Sequence, residues 1–255
     1  MPAEPSLSAI RRTGVSSSFE GRVGTDVLAL KALAEIETVL FDLDGTLVEP
    51  TIDFEAMNGA VRRLARAFGY SEGEIPHLPA LETIAFVRGG LAERSAERAA
   101  AFEAAAQQAL VDIEVEASRR ARAYEGVVEM LRTLAERGLR VGIVTRNCRL
   151  AVKEILRRNP LHYDVLLTRD DVPHVKPNPR HLLAALERLN GRPERTAMCG
   201  DHPMDIRAGR AIGAVTVGIL RPGVGSEVFA GEKPDLILSR VADLPRYLGA
   251  RPPLG

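Results

Sequence analysis

The chain has little cysteine, no net charge, little lysine and no long apolar run. Each shortage excludes something. Two cysteines, Cys148 and Cys199, stand far apart among 255 residues. They make no disulfide framework and have no zinc-type spacing, which fits a reducing, cytoplasmic setting. Acidic and basic residues balance at 34 each, so no global basic field favours nucleic acid or a membrane surface, and the expected partner is a small molecule. No apolar stretch approaches the roughly 20 residues of a spanning helix. The N-terminus lacks the charged-then-apolar layout of a signal segment. Only four of the 34 basic residues are lysines (Lys31, Lys153, Lys176 and Lys233). Arginine is the default cation, so a lysine beside a motif is informative.

What is present is a chain 45% hydrophobic, enough for a core burying roughly three quarters of its unfolded surface. Residues 1–36 form an expected N-terminal arm, rich in Ser, Gly and Pro, with a helical turn or two over Leu28–Glu37. Residues 37–50 and 123–255 read as one α/β unit. The stretch 51–122 differs in character, being rich in Ala, Arg and Glu. Val61, Leu64, Ala65 and Phe68 have the spacing of an amphipathic helix. Ser95–Ser118 reads as one long helix or two, with Pro76, Pro79 and Gly89-Gly90 breaking the block. From Gly126 onward strands and helices alternate, closing with an edge strand at Leu236–Leu238 and a helix over Val241–Leu248. That alternation predicts a parallel sheet covered on both faces.

The apolar run Thr38–Phe41 reads as a buried strand of such a sheet. It runs into Asp42-Leu43-Asp44-Gly45-Thr46. Ligands of open α/β sheets bind beyond the carboxyl ends of strands, so Asp42 and Asp44 should face a site. Two neighbouring acids repel unless a cation or a shared proton relieves them, which points to Mg²⁺ and acid–base chemistry. Other strand ends carry Thr145, Arg146 and Asn147, and Gly200-Asp201-His202-Pro203-Met204-Asp205. Lys176 stands in a Val-Lys-Pro-Asn-Pro loop.

Those four motifs, in that order, resemble the haloacid dehalogenase superfamily, in its phosphatase branch, and within it phosphoglycolate phosphatase-like proteins. The resemblance spans about residues 37–240. It implies a Rossmann-like parallel sheet core with an inserted α-helical cap over 51–122. It implies a Mg²⁺-dependent phosphatase in which Asp42 is the nucleophile, forming an aspartyl-phosphate, and Asp44 the general acid and then base. Mg²⁺ would bind Asp42, the main-chain carbonyl of Asp44, and Asp201. Asp205 would hold a metal-bound water or Lys176, or simply cap its helix. Thr145 and Lys176 would hold the phosphoryl oxygens. Gly45, Thr46, Arg146 and Asn147 are further substrate-binding candidates, with backbone N–H groups around Gly45 and Asn147 adding donors.

Phosphoglycolate is the leading substrate expectation, with phosphomutase and pyrophosphatase chemistry as alternatives. A catalytically silent binding protein on the same fold would be expected to lack one of the four motifs, and none is lacking. Relatives that cleave phosphonates use a cap lysine, and residues 50–123 contain none. Dehalogenating relatives lack the second acid that Asp44 supplies. Arg88, beside Gly89-Gly90, is a candidate contact for a substrate anion or else a solvated helix-end arginine. Cys148 and Cys199 are expected to be small buried side chains, and His202 a variable motif position. A monomer or a homodimer is expected.

Overall fold

The computed structural model describes residues 32–249; of the expected arm over 1–36, residues 1–31 lie outside them, whereas Leu33 and Ile36 are buried in the main apolar cluster and so belong to the α/β unit. Six strands form one sheet: β1 (Thr38–Phe41), β2 (Arg140–Val144), β3 (Val165–Leu167), β4 (Thr196–Gly200), β5 (Val215–Ile219) and β6 (Leu236–Leu238). Their order is β3-β2-β1-β4-β5-β6, and every pairing is parallel. β1 is fully buried between β2 and β4. The strand order reverses there, so the crevice at its C-terminal end is where a ligand belongs.

Between β1 and β2 run α1 (Phe54–Ala67), α2 (Ala80–Ala92) and α3 (Ala96–Ser118), and then α4 (Val127–Glu136). The later crossovers are α5 (Arg149–Arg158), α6 (Arg180–Leu189) and α7 (Pro203–Ala211). Side chains of β1 alternate between the sheet's two faces, as a strand's period of two requires. Val39 and Phe41 join the apolar cluster that includes Leu131 and Leu134 of α4. Leu40 joins the opposite cluster, with Leu182, Ala185 and Leu186 of α6.

The three inserted helices bury their own cluster, around Val61, Ile84, Val87, Phe102 and Leu110. Chain entry and exit are tied together. The Glu49 N–H donates to Arg122 C=O at 2.8 Å, and the Tyr124 N–H to Leu47 C=O at 3.1 Å. α1 begins where Asp53 accepts from the Ala56 N–H at 2.8 Å, an N-terminal cap.

The structure settles one open choice and differs from expectation in two further elements. Ser95–Ser118 is a single helix capped by Ser95. Gly89-Gly90 does not interrupt α2: a side chain on Gly90 would collide with the Tyr70 hydroxyl, which donates to Val87 C=O at 3.3 Å. The glycine serves close approach, not a break. The closing element over Val241–Arg246 is 3₁₀ with Pro245 inside it, as expected where a proline removes an α-helical donor. Among the described residues, no helix is long and apolar enough to cross a membrane.

Candidate active site

At the end of β1 the ladder continues one residue further, the Asp42 N–H donating to Cys199 C=O at 2.9 Å. This pins the Asp42 backbone beside β4. The chain then turns sharply: the Leu47 and Val48 N–H groups both donate to Leu43 C=O, at 2.9 and 3.0 Å. Gly45 sits in that turn with φ +88°, a left-handed conformation open to glycine. A Cβ there would lie 2.5 Å from Asp201 Oδ2. The turn therefore needs glycine twice, for its backbone and for the carboxylate packed on it.

The side chains from three strand ends converge. Lys176 Nζ lies 2.6 Å from Asp42 Oδ1 and 2.7 Å from Asp205 Oδ1. The other Asp205 oxygen accepts from the His202 N–H at 3.1 Å, capping α7. Asp205 thus fills both roles open to it in the sequence: it holds the lysine and closes the helix end. Asp44 Oδ2 accepts from Asn147 Nδ2 at 3.1 Å and Thr145 Oγ1 at 3.5 Å. Asp44 Oδ1 is buried and has no hydrogen-bond partner among the described residues. His181 stands behind the lysine, its Nδ1 accepting from the Lys176 N–H at 3.3 Å.

Burial sets the electrostatics. It is the largest cause pushing Asp42 up to about 6, with Lys176 opposing and Asp205 assisting. Burial and then the Asp42 charge push Asp44 up to about 7. Burial, then repulsion from Asp42 and Asp205, pushes Asp201 up to about 8 despite Arg221. Burial works against the Lys176 charge, but Asp205 and Asp42 outweigh it and raise its pKa. Burial, with Lys176 and Arg146 nearby, lowers His181 to about 3 and keeps it neutral. The site thus holds more buried negative charge than its own cations relieve. Oxygens of Asp42, Asp201 and Asp205 lie within 4.8 Å of one another. An all-oxygen, all-carboxylate donor set with unmet negative charge fits a hard divalent cation.

Several expected contacts fall elsewhere. Thr46 is fully buried, and its hydroxyl donates to Asp201 Oδ1 at 3.2 Å; it holds a carboxylate instead of facing substrate. The Gly45 N–H is used by Val48 C=O at 2.8 Å, and the Asn147 N–H by Thr145 Oγ1 at 3.1 Å. Neither is a spare donor for a phosphoryl oxygen. Arg146 faces the cavity but is held by Glu82 of α2, at 2.7 and 2.9 Å. Arg88 does not line the cavity; it is half-exposed, 3.8 Å from Glu103. Both cysteines are buried, and burial pushes the Cys148 thiol up to about 12 and that of Cys199 up as well. His202 accepts from the Met204 N–H at 3.2 Å through Nδ1.

Three residues carry no signal that the motifs capture. Arg221 lies just past β5, with Nε 3.2 Å from Asp201 Oδ2; the position just beyond a strand end is the one cue that marks it. His181 supports the lysine from α6. Arg169 forms a buried ion pair with Glu114 of α3, its Nη1 donating to both carboxylate oxygens at 2.5 and 2.6 Å, and no local pattern announces a pair 55 residues apart.

The site opens into a cavity of about 680 Å³ between the sheet edge and the inserted helices. The pyrophosphatase PpaX of Anoxybacillus flavithermus is 32% identical over 226 residues, 84% of this chain and 97% of that protein. Two solved structures share the fold. A predicted phosphoglycolate phosphatase from Haemophilus somnus has a TM-score of 0.56 at 19% identity, over 83% of this chain and 97% of its own. A β-phosphoglucomutase from Clostridium difficile has a TM-score of 0.58 at 18% identity, over 82% and 93%. The family model for haloacid dehalogenase-like hydrolases matches residues 36–213. With an acid-lined crevice at the strand reversal and a helical insertion above it, the chain belongs to the haloacid dehalogenase-like hydrolases.

Proposed function

We propose that the protein is a Mg²⁺-dependent phosphatase acting on a small phosphorylated metabolite through a phosphorylated Asp42. The observation that carries this is the pairing of unlike acids. Asp42 is held by a lysine 2.6 Å away. Asp44 is held by two neutral groups and keeps one buried oxygen free. One carboxylate is suited to stay ionised and attack; its neighbour is suited to carry a proton.

In this reading Asp42 attacks phosphorus while Asp44 gives its proton to the leaving oxygen. Asp44 then takes a proton from the water that hydrolyses the aspartyl-phosphate. Lys176 holds Asp42 in line and offers charge to the transferring oxygens. Thr145 and Asn147 keep Asp44 oriented. Asp42 and Asp201 would hold Mg²⁺, with Asp205 close enough to stand behind them and, on the family resemblance, the Asp44 carbonyl as a third protein oxygen. Thr46 and Gly45 fix Asp201, and Asp205 fixes Lys176. The ion, when bound, offsets the repulsion between the substrate dianion and Asp42.

Phosphoglycolate is a candidate substrate by family resemblance. The relative named as a pyrophosphatase, matched over nearly its whole length, favours pyrophosphate as a second reading. The decisive test of the chemistry is mass spectrometry of acid-quenched enzyme after mixing with substrate. A phosphoryl adduct on the peptide bearing Asp42 is expected; an adduct elsewhere, or none under turnover, overturns the proposal.

A further inference from the structure

The far wall of the cavity is unlike the sheet edge. It is formed by Ile52, Phe54 and Met57 at the start of α1 and by Leu78, Pro79 and Leu81 at the start of α2. Phe54 is 58% exposed and Leu78 44%, apolar surface left open toward the cavity and its mouth. Arginines reach the cavity at three points, and each has a carboxylate. Arg62 is gripped by Glu72 and also donates to the Ile75 and Pro76 carbonyls, at 3.3 and 3.1 Å. Arg146 is held at both Glu82 oxygens. Arg221 sits at the phosphoryl end, on Asp201. Asn58 and His77 complete the polar lining on this side. The wall therefore offers no uncompensated arginine or lysine to a second anionic group. Its volume of about 680 Å³ falls within the roughly 300–1,000 Å³ of pockets that enclose drug-sized ligands.

Resting on the phosphatase reading above, we infer that the group esterified to phosphate is uncharged and largely apolar. The substrate class is a phosphate monoester of an apolar alcohol, in preference to phosphoglycolate or pyrophosphate. Both of those would place a second anion against a wall of aliphatic and aromatic carbon, where its desolvation goes uncompensated.

The test is a series of n-alkyl phosphates from ethyl to hexyl, in which the leaving-group basicity is nearly constant and only apolar area grows. kcat/KM should rise about two- to fourfold per methylene, and hexyl phosphate should exceed both phosphoglycolate and pyrophosphate. Phe54→Ser, at an exposed position the fold tolerates, should flatten the series. Calorimetric titration with n-alkyl phosphonates and Mg²⁺ reads the same wall without turnover, as affinity rising with chain length. A flat phosphonate series, or phosphoglycolate or pyrophosphate turned over faster than hexyl phosphate, overturns the inference. Phosphonate affinity that climbs with chain length while no phosphate is hydrolysed supports the wall and overturns the phosphatase reading instead.

Discussion

The sheet edge and the inserted helices face the same cavity and are built on opposite principles. At the edge, charged groups are crowded, buried and tied to one another: Asp42 to Lys176, Lys176 to Asp205, Thr46 and Arg221 to Asp201. On the helical side, apolar carbon dominates, and its acids already hold arginines of both sides, Glu72 holding Arg62 of α1 and Glu82 holding Arg146 of the sheet edge. A rigid polar cluster suits a reaction whose charges must be met without reorganisation. An apolar wall suits recognition of whatever is attached to the phosphoryl group. The contrast teaches that chemistry and selection are separable here, and substitutions should separate them.

The largest effect belongs to the edge. Asp42→Asn should lower kcat on p-nitrophenyl phosphate by at least about 10⁴-fold, as removal of a nucleophile does. The folding transition should stay cooperative, because Lys176 keeps Asp205 as a partner. Measurable turnover above a hundredth of wild type would remove Asp42 from its role and collapse the distinction between the two sides.

Next comes the more deeply buried of two ion pairs that cross between the two sides among the described residues, the other being Arg146 with Glu82. Glu114 of α3 and Arg169 of the sheet unit are 3% and 6% exposed at their side chains. Glu114→Ala leaves the guanidinium buried without its carboxylate, which costs about 3–5 kcal/mol. Urea denaturation should report a loss of that size. An unchanged midpoint would mean that the pair does not hold the helices onto the sheet.

Cation binding should be visible as stability, and more modestly. Added to chelator-treated protein at a hundred times its Kd, Mg²⁺ should stabilise by about 2.7 kcal/mol, or a rise of roughly 5–10 °C in Tm. The rise should vanish in Asp201→Asn. Chelator-treated protein should be inactive and recover with Mg²⁺; indifference of both activity and Tm would defeat the metal assignment.

Much of this comparison was legible in the chain, but unevenly. Asp42, Asp44 and Asp201 could be read because carboxylates stand where apolar runs end, and Lys176 because lysine is rare in this chain; their roles came from the family that the four motifs resemble. The turn after β1 was legible as a turn, but not in its interior. Gly45 and Thr46 come directly after the acids, yet the Gly45 N–H is consumed within the turn and the Thr46 hydroxyl points at Asp201. Side-chain direction inside a tight turn depends on backbone dihedrals that residue identity does not supply. Gly89-Gly90 misled for a related reason, since glycine marks either a break or a close approach, and only the position of Tyr70 decides. Pairs such as Arg169 with Glu114 are tertiary by nature.

The smallest effect sharpens the comparison most cheaply. Arg88 attracts suspicion in the sequence as a cation in the insertion, near a glycine pair, where an anionic substrate would want one. In the structure it is half-exposed, opposite Glu103 across the α2–α3 contact and outside the cavity lining. An exposed pair of this kind contributes at most about 1 kcal/mol. Arg88→Ala should leave kcat/KM unchanged for phosphoglycolate and for p-nitrophenyl phosphate alike, and should shift the unfolding free energy by about 0.5 kcal/mol or less. A loss confined to phosphoglycolate would show that the insertion does bring a free cation to the substrate. The separation of apolar selection from charged chemistry would then fail at this residue.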